Sequence, residues 1–126
     1  MPRVSAIADL LADCRRGLDR VAAPDLAGEV AAGALVVDTR PRDQRERDGE
    51  LPGAVVVERN VLEWRLDPTS PDRLPEATST DLRVIVVCNE GYSSSLAAHT
   101  LRLLGLARAT DLEGGYQAWR RVAGPG

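Results

Sequence analysis

The chain has 126 residues, enough for one domain with a sizeable core. Apolar residues make up 44% and charged residues 28%, the balance of a folded globular chain. The formal net charge of −3 argues against a nucleic-acid partner, and no apolar run approaches the roughly 20 residues of a membrane span.

Apart from His99 every basic residue is arginine, phenylalanine is absent and alanine is abundant. That bias reads as a GC-rich bacterial genome rather than as function. Cys14 and Cys88 make neither a disulfide framework nor a metal pattern, so no metal and no cofactor is expected. The start, MPRVSAIADLLADCRR, does not resemble a signal peptide, because Asp9 and Asp13 interrupt its apolar residues. A reducing cytoplasm is the expected compartment.

In chain order, Ser5 caps a helix on which Ile7, Leu11, Cys14 and Leu18 share one face. Leu10 widens that stripe and Gly17 weakens the helix near its end. The face packs on its own domain or serves a weak homodimer or a docking partner. Cys14 belongs to it as a core or interface residue. Arg20-Val21-Ala22 reads as a short edge strand. Pro24 suits a first helical turn, and Leu26, Val30 and Ala31 give a short helix ended by Gly33. Ala34–Val37 is an apolar strand that runs into Asp38-Thr39-Arg40. The stretch Arg42–Glu50 is a polar, solvated helical turn. Leu51-Pro52-Gly53 turns the chain into a third strand, Ala54–Val57. Asn60 then caps a helix over Val61–Leu66. Asp67–Thr80 is the longest irregular stretch: a mobile segment, one wall of a pocket, or a solvated connection.

Val84-Ile85-Val86-Val87 has the β-branched composition of a strand buried on both faces. Cys88 follows, then the loop Asn89-Glu90-Gly91-Tyr92-Ser93, then a helix from Ser94 to Leu104. The first N–H groups of a helix lack intrahelical partners and carry partial positive charge. Successive amides in a tight loop make the same kind of anion cradle. Cys88 is therefore a reactive cysteine, or else a small apolar residue ending a strand. His99, at least a turn into the helix, is an ordinary helix residue. After Gly105 come a weaker strand over Ala107–Leu112, a flexible Gly114-Gly115 joint, and a last helix anchored by Trp119. Gly124-Pro125-Gly126 ends the chain.

Short apolar strands alternating with helices point to a parallel α/β sheet covered on both faces. In such sheets the site lies beyond the carboxyl ends of the strands, which would place Asp38 and Cys88 on one rim.

Four motifs, in order, carry a resemblance. Leu35–Arg40 is similar to a strand ending in Asp-x-Arg. Gly49-Glu50-Leu51-Pro52-Gly53-Ala54 resembles Gly-His-Ile-Pro-Gly-Ala. Cys88–Ser94 resembles the loop Cys-x-x-Gly-x-Arg-Ser. Leu112–Gly115 with Trp119 resembles a closing Gly-Gly-x-x-x-Trp. Together they resemble a single-domain rhodanese, a sulfurtransferase family, from about Arg20 to the end. Residues 1–19 then form a helical extension packed on a domain of residues 20–126.

The resemblance implies a three-layer fold with about five mostly parallel strands and helices on both faces. It implies that Cys88 takes sulfur from a small donor such as thiosulfate, holds it as a persulfide and yields it to a thiol or cyanide. Asn89, Glu90, Gly91, Tyr92, Ser93 and Ser94 would cradle the anion, the two serines adding hydroxyl donors, with Asp38 and Arg40 as supports near the rim. Ser93 stands where the family often has Arg, which removes a bidentate anion contact. Glu90 stands where many loops are basic and would repel both thiolate and donor. Glu50 in place of His reads as a surface change. Two rival readings remain: a partner-dependent sulfur-carrier or sensing module, and a phosphatase or arsenate reductase. The second needs Cys-x5-Arg, and Ser94 occupies the Arg position.

Overall fold

A computed structural model describes residues 5–123. Residues 1–4 of the extension and the closing Gly124-Pro125-Gly126 lie outside the described residues. Four strands, β1 (Leu35–Asp38), β2 (Val55–Val56), β3 (Val84–Val87) and β4 (Thr110–Asp111), form one parallel sheet in the order β2-β1-β3-β4. The fifth strand expected at Arg20–Ala22 is reduced to a single parallel bridge between Val21 and Leu112. Val21 donates to the Asp111 carbonyl at 3.0 Å and accepts from the Glu113 amide at 2.8 Å, and the chain then turns into a 3-10 turn at Ala23–Asp25. Pro24 fixes that turn, because its ring presets a helical φ and it has no N–H to lose.

All four residues of β3 are fully buried. Successive strand side chains point to opposite faces. Val84 and Val86 accordingly join a core with Leu62, Leu66, Ala97, Ala98 and Leu101, and Ile85 and Val87 join a second core with Val21, Leu26, Leu112 and Tyr116. Each such side chain contributes roughly 1.5–3 kcal/mol by leaving water. The first core is covered by α4 (Leu62–Leu66) and α5 (Ser93–Leu103), the second by α2 (Leu26–Ala31) and α6 (Gly115–Ala123). This is the three-layer arrangement expected from the apolar strand runs.

The remaining helices are α1 (Ala6–Arg16) and α3 (Arg42–Asp48). Ser5 caps α1 by accepting the Ala8 amide at 3.0 Å. Gly17 is the C-cap of α1, so Leu18 lies beyond the helix and packs on the first core. Cys14 is buried, whereas Ile7 and Leu10 are more than half or half exposed, so the apolar stripe of α1 is only partly covered. Helix α1 lies against α5. None of the residues of α3 is buried, in keeping with a solvated face.

One local expectation fails. Asn60 does not cap α4: it sits inside a 3-10 turn, Arg59–Val61, and α4 has no side-chain cap. The Asp67–Thr80 segment is not a wall of the Cys88 recess. It inserts Leu74 and Ala77 into the first core, and the Leu74 amide donates to the Arg65 carbonyl at 2.8 Å. Its prolines mark turns, while two apolar residues tie it down. Among the described residues no helix is long and apolar enough to cross a membrane.

Candidate active site

The parallel register pairs Asp38 with Val87, so β1 and β3 end on the same rim. Thr39 continues the pairing: its amide donates to the Val87 carbonyl at 2.8 Å and its hydroxyl to the same oxygen at 2.9 Å. Cys88 is the next residue along β3. Asp38 and Arg40 are both buried and locked together, with Nε and Nη2 of Arg40 3.1 and 2.8 Å from Asp38 Oδ2. Arg40 also donates to the Gly49 carbonyl at 2.9 Å. Its guanidinium stacks on the ring of Tyr116 at 3.7 Å, and that π-face lies against a group whose Nη1 has no hydrogen-bond acceptor. The Tyr116 hydroxyl then donates to the Asp48 carbonyl at 2.6 Å. Asp38 and Arg40 thus sit beside the rim, and their contacts extend to Tyr116, whose aromatic position the spacing of α6 alone did not single out over Trp119. Trp119 is partly buried and stacks on Tyr116 with ring centres 5.5 Å apart.

Beyond Cys88 the chain curls back over its own sulfur. Cys88 Sγ accepts the Gly91 N–H at 3.1 Å and the Ser94 N–H at 3.4 Å. Gly91 adopts φ +87°, a left-handed conformation that an L side chain rarely takes. The carbonyls face the other way. Cys88 C=O accepts the Tyr116 amide at 2.8 Å, and Asn89 C=O accepts the Gln117 amide at 3.1 Å. The free N–H groups of the first turn of α6 are thereby spent on the loop. The Gly114-Gly115 pair is a close-packed joint rather than a flexible one. A Cβ on Gly115 would lie 2.4 Å from the Cys88 oxygen, and a Cβ on Gly91 would lie 2.6 Å from the Gly114 nitrogen.

The loop's outer flank is held by charge. Asp111, at the end of β4, is fully buried and accepts the hydroxyls of Ser94 and Ser95 at 2.7 and 2.8 Å. Arg20 Nε pairs with its other oxygen at 2.9 Å. The Ser94 hydroxyl is therefore committed to Asp111, and Ser94 offers the sulfur its amide instead. Ser93 is exposed and faces the recess, as do Glu90 and Tyr92. Glu90 has no ion-pair partner among the described residues. His99 is half-buried along α5 and takes no part in the recess.

Cys88, 7% exposed, opens onto a recess of about 340 Å³ lined by Thr39, Arg40, Pro41, Gln44 and the loop residues Asn89, Glu90, Tyr92 and Ser93. A second recess of about 500 Å³ shares Asn89, Glu90 and Tyr92 and adds Arg47, Asp48, Gln117 and Arg121. There the Arg47 hydrogen bond holds the Asp48 carboxyl below the usual carboxylate range, with Gln117 and Arg120 adding to the effect. A third, apolar recess of about 470 Å³ runs between α1 and α5, lined by Ile7, Leu11, Tyr92 and Leu96 among others. Among the described residues no cluster of His, Cys, Asp and Glu has the makings of a metal site.

A parallel α/β domain whose central strand delivers a cysteine into a loop of inward amides is the class of protein that fold and site define. Residues 22–122 match the rhodanese-like domain, and the chain belongs to that family. A Rhodopseudomonas palustris protein, RPA3614, described as of unknown function and a possible tyrosine phosphatase, is 32% identical. That similarity covers 99% of this chain and 98% of the other, with a TM-score of 0.84. The human single-domain sulfurtransferase TSTD1 is 26% identical over 79% of this chain and 93% of its own, with a TM-score of 0.67. The adenylyltransferase and sulfurtransferase UBA4 of Candida albicans is 32% identical over 85 residues, 68% of this chain. The chain spans only about a fifth of the length of that curated relative, 19%.

Proposed function

We propose that this domain is a sulfurtransferase that carries sulfane sulfur as a persulfide on Cys88. The single observation that supports the reading best is the pair of amides, Gly91 and Ser94, directed at Sγ. Preorganised N–H donors favour a negative charge on that sulfur and on the sulfur added to it. In the first step the Cys88 thiolate attacks the outer sulfur of thiosulfate. The S–S bond of the donor breaks, its electron pair leaves with sulfite, and the enzyme holds a persulfide anion. In the second step a thiolate or cyanide attacks the outer sulfur of the persulfide, and Cys88 leaves as thiolate. This is covalent catalysis in two displacements, balanced without an oxidant.

TSTD1 and UBA4, both named as sulfurtransferases, favour this chemistry. The recess is open and small, in keeping with a small donor and a thiol acceptor. Thiocyanate formation from thiosulfate and cyanide, lost in Cys88→Ala, is the test. Glu90, unpaired at the recess, makes thiosulfate a weak donor and favours a less highly charged physiological one.

The likeness to RPA3614 supports a second reading, phosphate-ester hydrolysis. Against it stands the position six after Cys88. Ser94 is there, with its hydroxyl on Asp111, and Arg15 and Arg20 meet the loop at the Gly91 carbonyl rather than from within it. Hydrolysis of an aryl phosphate that disappears in Cys88→Ser would favour this second reading over sulfur transfer.

A further inference from the structure

Arg15 lies on α1, ahead of the segment that matches the family. Its Nη2 donates to the Gly91 carbonyl at 2.7 Å and its Nε to the Ser95 hydroxyl at 3.0 Å. Its guanidinium carbon also sits 5.7 Å from the centre of the Tyr92 ring. Arg20 donates to the same Gly91 carbonyl at 3.0 Å. One carbonyl of the cysteine loop thus receives two guanidinium groups, both from outside the loop.

The two cations differ in what else they meet. Arg20 is neutralised by Asp111, which is fully buried. Arg15 has no carboxylate partner among the described residues, so its charge remains available to the loop. Gly91 is also the residue whose amide faces Cys88 Sγ. Its carbonyl belongs to a trans peptide, so fixing that oxygen toward α1 fixes the Tyr92 N–H on the opposite side. The loop itself carries Glu90 and no cation, since Ser93 and Ser94 are neutral. Nothing else bound to the loop through a hydrogen bond brings an unneutralised positive charge.

We propose that Arg15 is a positioning residue that, through the Gly91 carbonyl, gives the Cys88 loop the positive charge toward anions that the loop lacks. On this view α1 completes the site. The proposal rests on Cys88 as the reactive group. Its test uses alkylation, which needs no sulfur donor, so a failure of sulfur transfer and a failure of this proposal are separately visible.

The experiment compares the rates at which iodoacetate, an anion, and iodoacetamide, its neutral counterpart, alkylate Cys88 at low ionic strength. Mass spectrometry of the peptide containing Cys88 separates its labelling from that of Cys14. In Arg15→Gln the ratio of the two rates falls roughly threefold, the size expected for one partly screened charge. In Arg15→Lys, which keeps the charge, the ratio stays near that of the wild type. A merely structural role would change both rates together and leave the ratio alone. A ratio unchanged in folded Arg15→Gln overturns the proposal, whatever the separate rates do, and so does a Lys variant that behaves like Gln. Arg15→Met, which keeps the apolar stem, takes the place of the Gln variant if that one is unfolded by circular dichroism.

Discussion

The backbone of Gly115 passes so close to Cys88 that a Cβ on Gly115 would lie 2.4 Å from the Cys88 carbonyl oxygen. The start of the last helix and the cysteine loop are therefore one packed unit, joined by the Tyr116 and Gln117 amides. Gly115 also has φ +61°. Replacing it with alanine adds a clash to a strained conformation, each effect of order 1–3 kcal/mol. Gly115→Ala lowers stability by about 2 kcal/mol or more in urea unfolding and slows alkylation of Cys88, because the loop must move. Wild-type stability and reactivity in this variant would show that the close approach is not needed.

Asp111 gathers Arg20, Ser94 and Ser95 around a fully buried carboxylate. Removing one partner of a buried charged network leaves the others unpaired, typically at about 3–5 kcal/mol. Asp111→Ala is expected to lose about that much, and Asp111→Ala with Arg20→Met to lose less than the sum of the single changes. Additive losses would mean that the two side chains are not coupled.

Glu90 borders the recess with no ion-pair partner among the described residues. A carboxylate there opposes a dianionic donor. Glu90→Lys therefore lowers the apparent KM for thiosulfate, with a smaller change in kcat, and the gain shrinks as salt is added. No fall in KM would mean that Glu90 does not oppose thiosulfate at the recess.

Asp48 ties α3 to α6 through Gln117 and Arg120, and its carboxyl is held below its ordinary value chiefly by the Arg47 hydrogen bond. A depressed folded-state value means that this contribution is complete above the unfolded value, near 3.8, and is lost as pH falls through the folded one. Below about pH 4 the wild type should lose stability more steeply than Asp48→Asn. Parallel acid limbs for the two proteins would show that Asp48 carries no such linkage.

Much of this architecture is legible along the chain because it is local. The run Val84–Val87 is buried on both faces as its composition implies, and Cys88 sits where a strand must end and a helix begin. Asp38 reaches the same rim because parallel strands end together. The parts that stay hidden depend on distant partners. The fifth strand reads as a strand at Arg20–Ala22, yet only Val21 finds a ladder before the chain turns at Pro24. Gly114-Gly115 reads as a hinge, because a sequence shows permissive backbone but not the carbonyl packed against it. Arg15, Asp111 and Tyr116 come from α1, β4 and α6, and Arg20 from the connection after α1; they meet the loop or its supports only through the fold. Their individual residue types carry no local signal: an arginine on a helix face or a tyrosine on an amphipathic helix is ordinary until its partner is placed.

The measurement that tests the central claim most directly is the intact mass of the protein after incubation with thiosulfate, taken beside Cys88→Ala. The expected result is a gain of one sulfur atom on the wild type, absent from the variant and removed by cyanide, as a persulfide on Cys88 requires. An unchanged wild-type mass with thiosulfate, and again with mercaptopyruvate and a protein persulfide as donors, would contradict a sulfur-carrying Cys88.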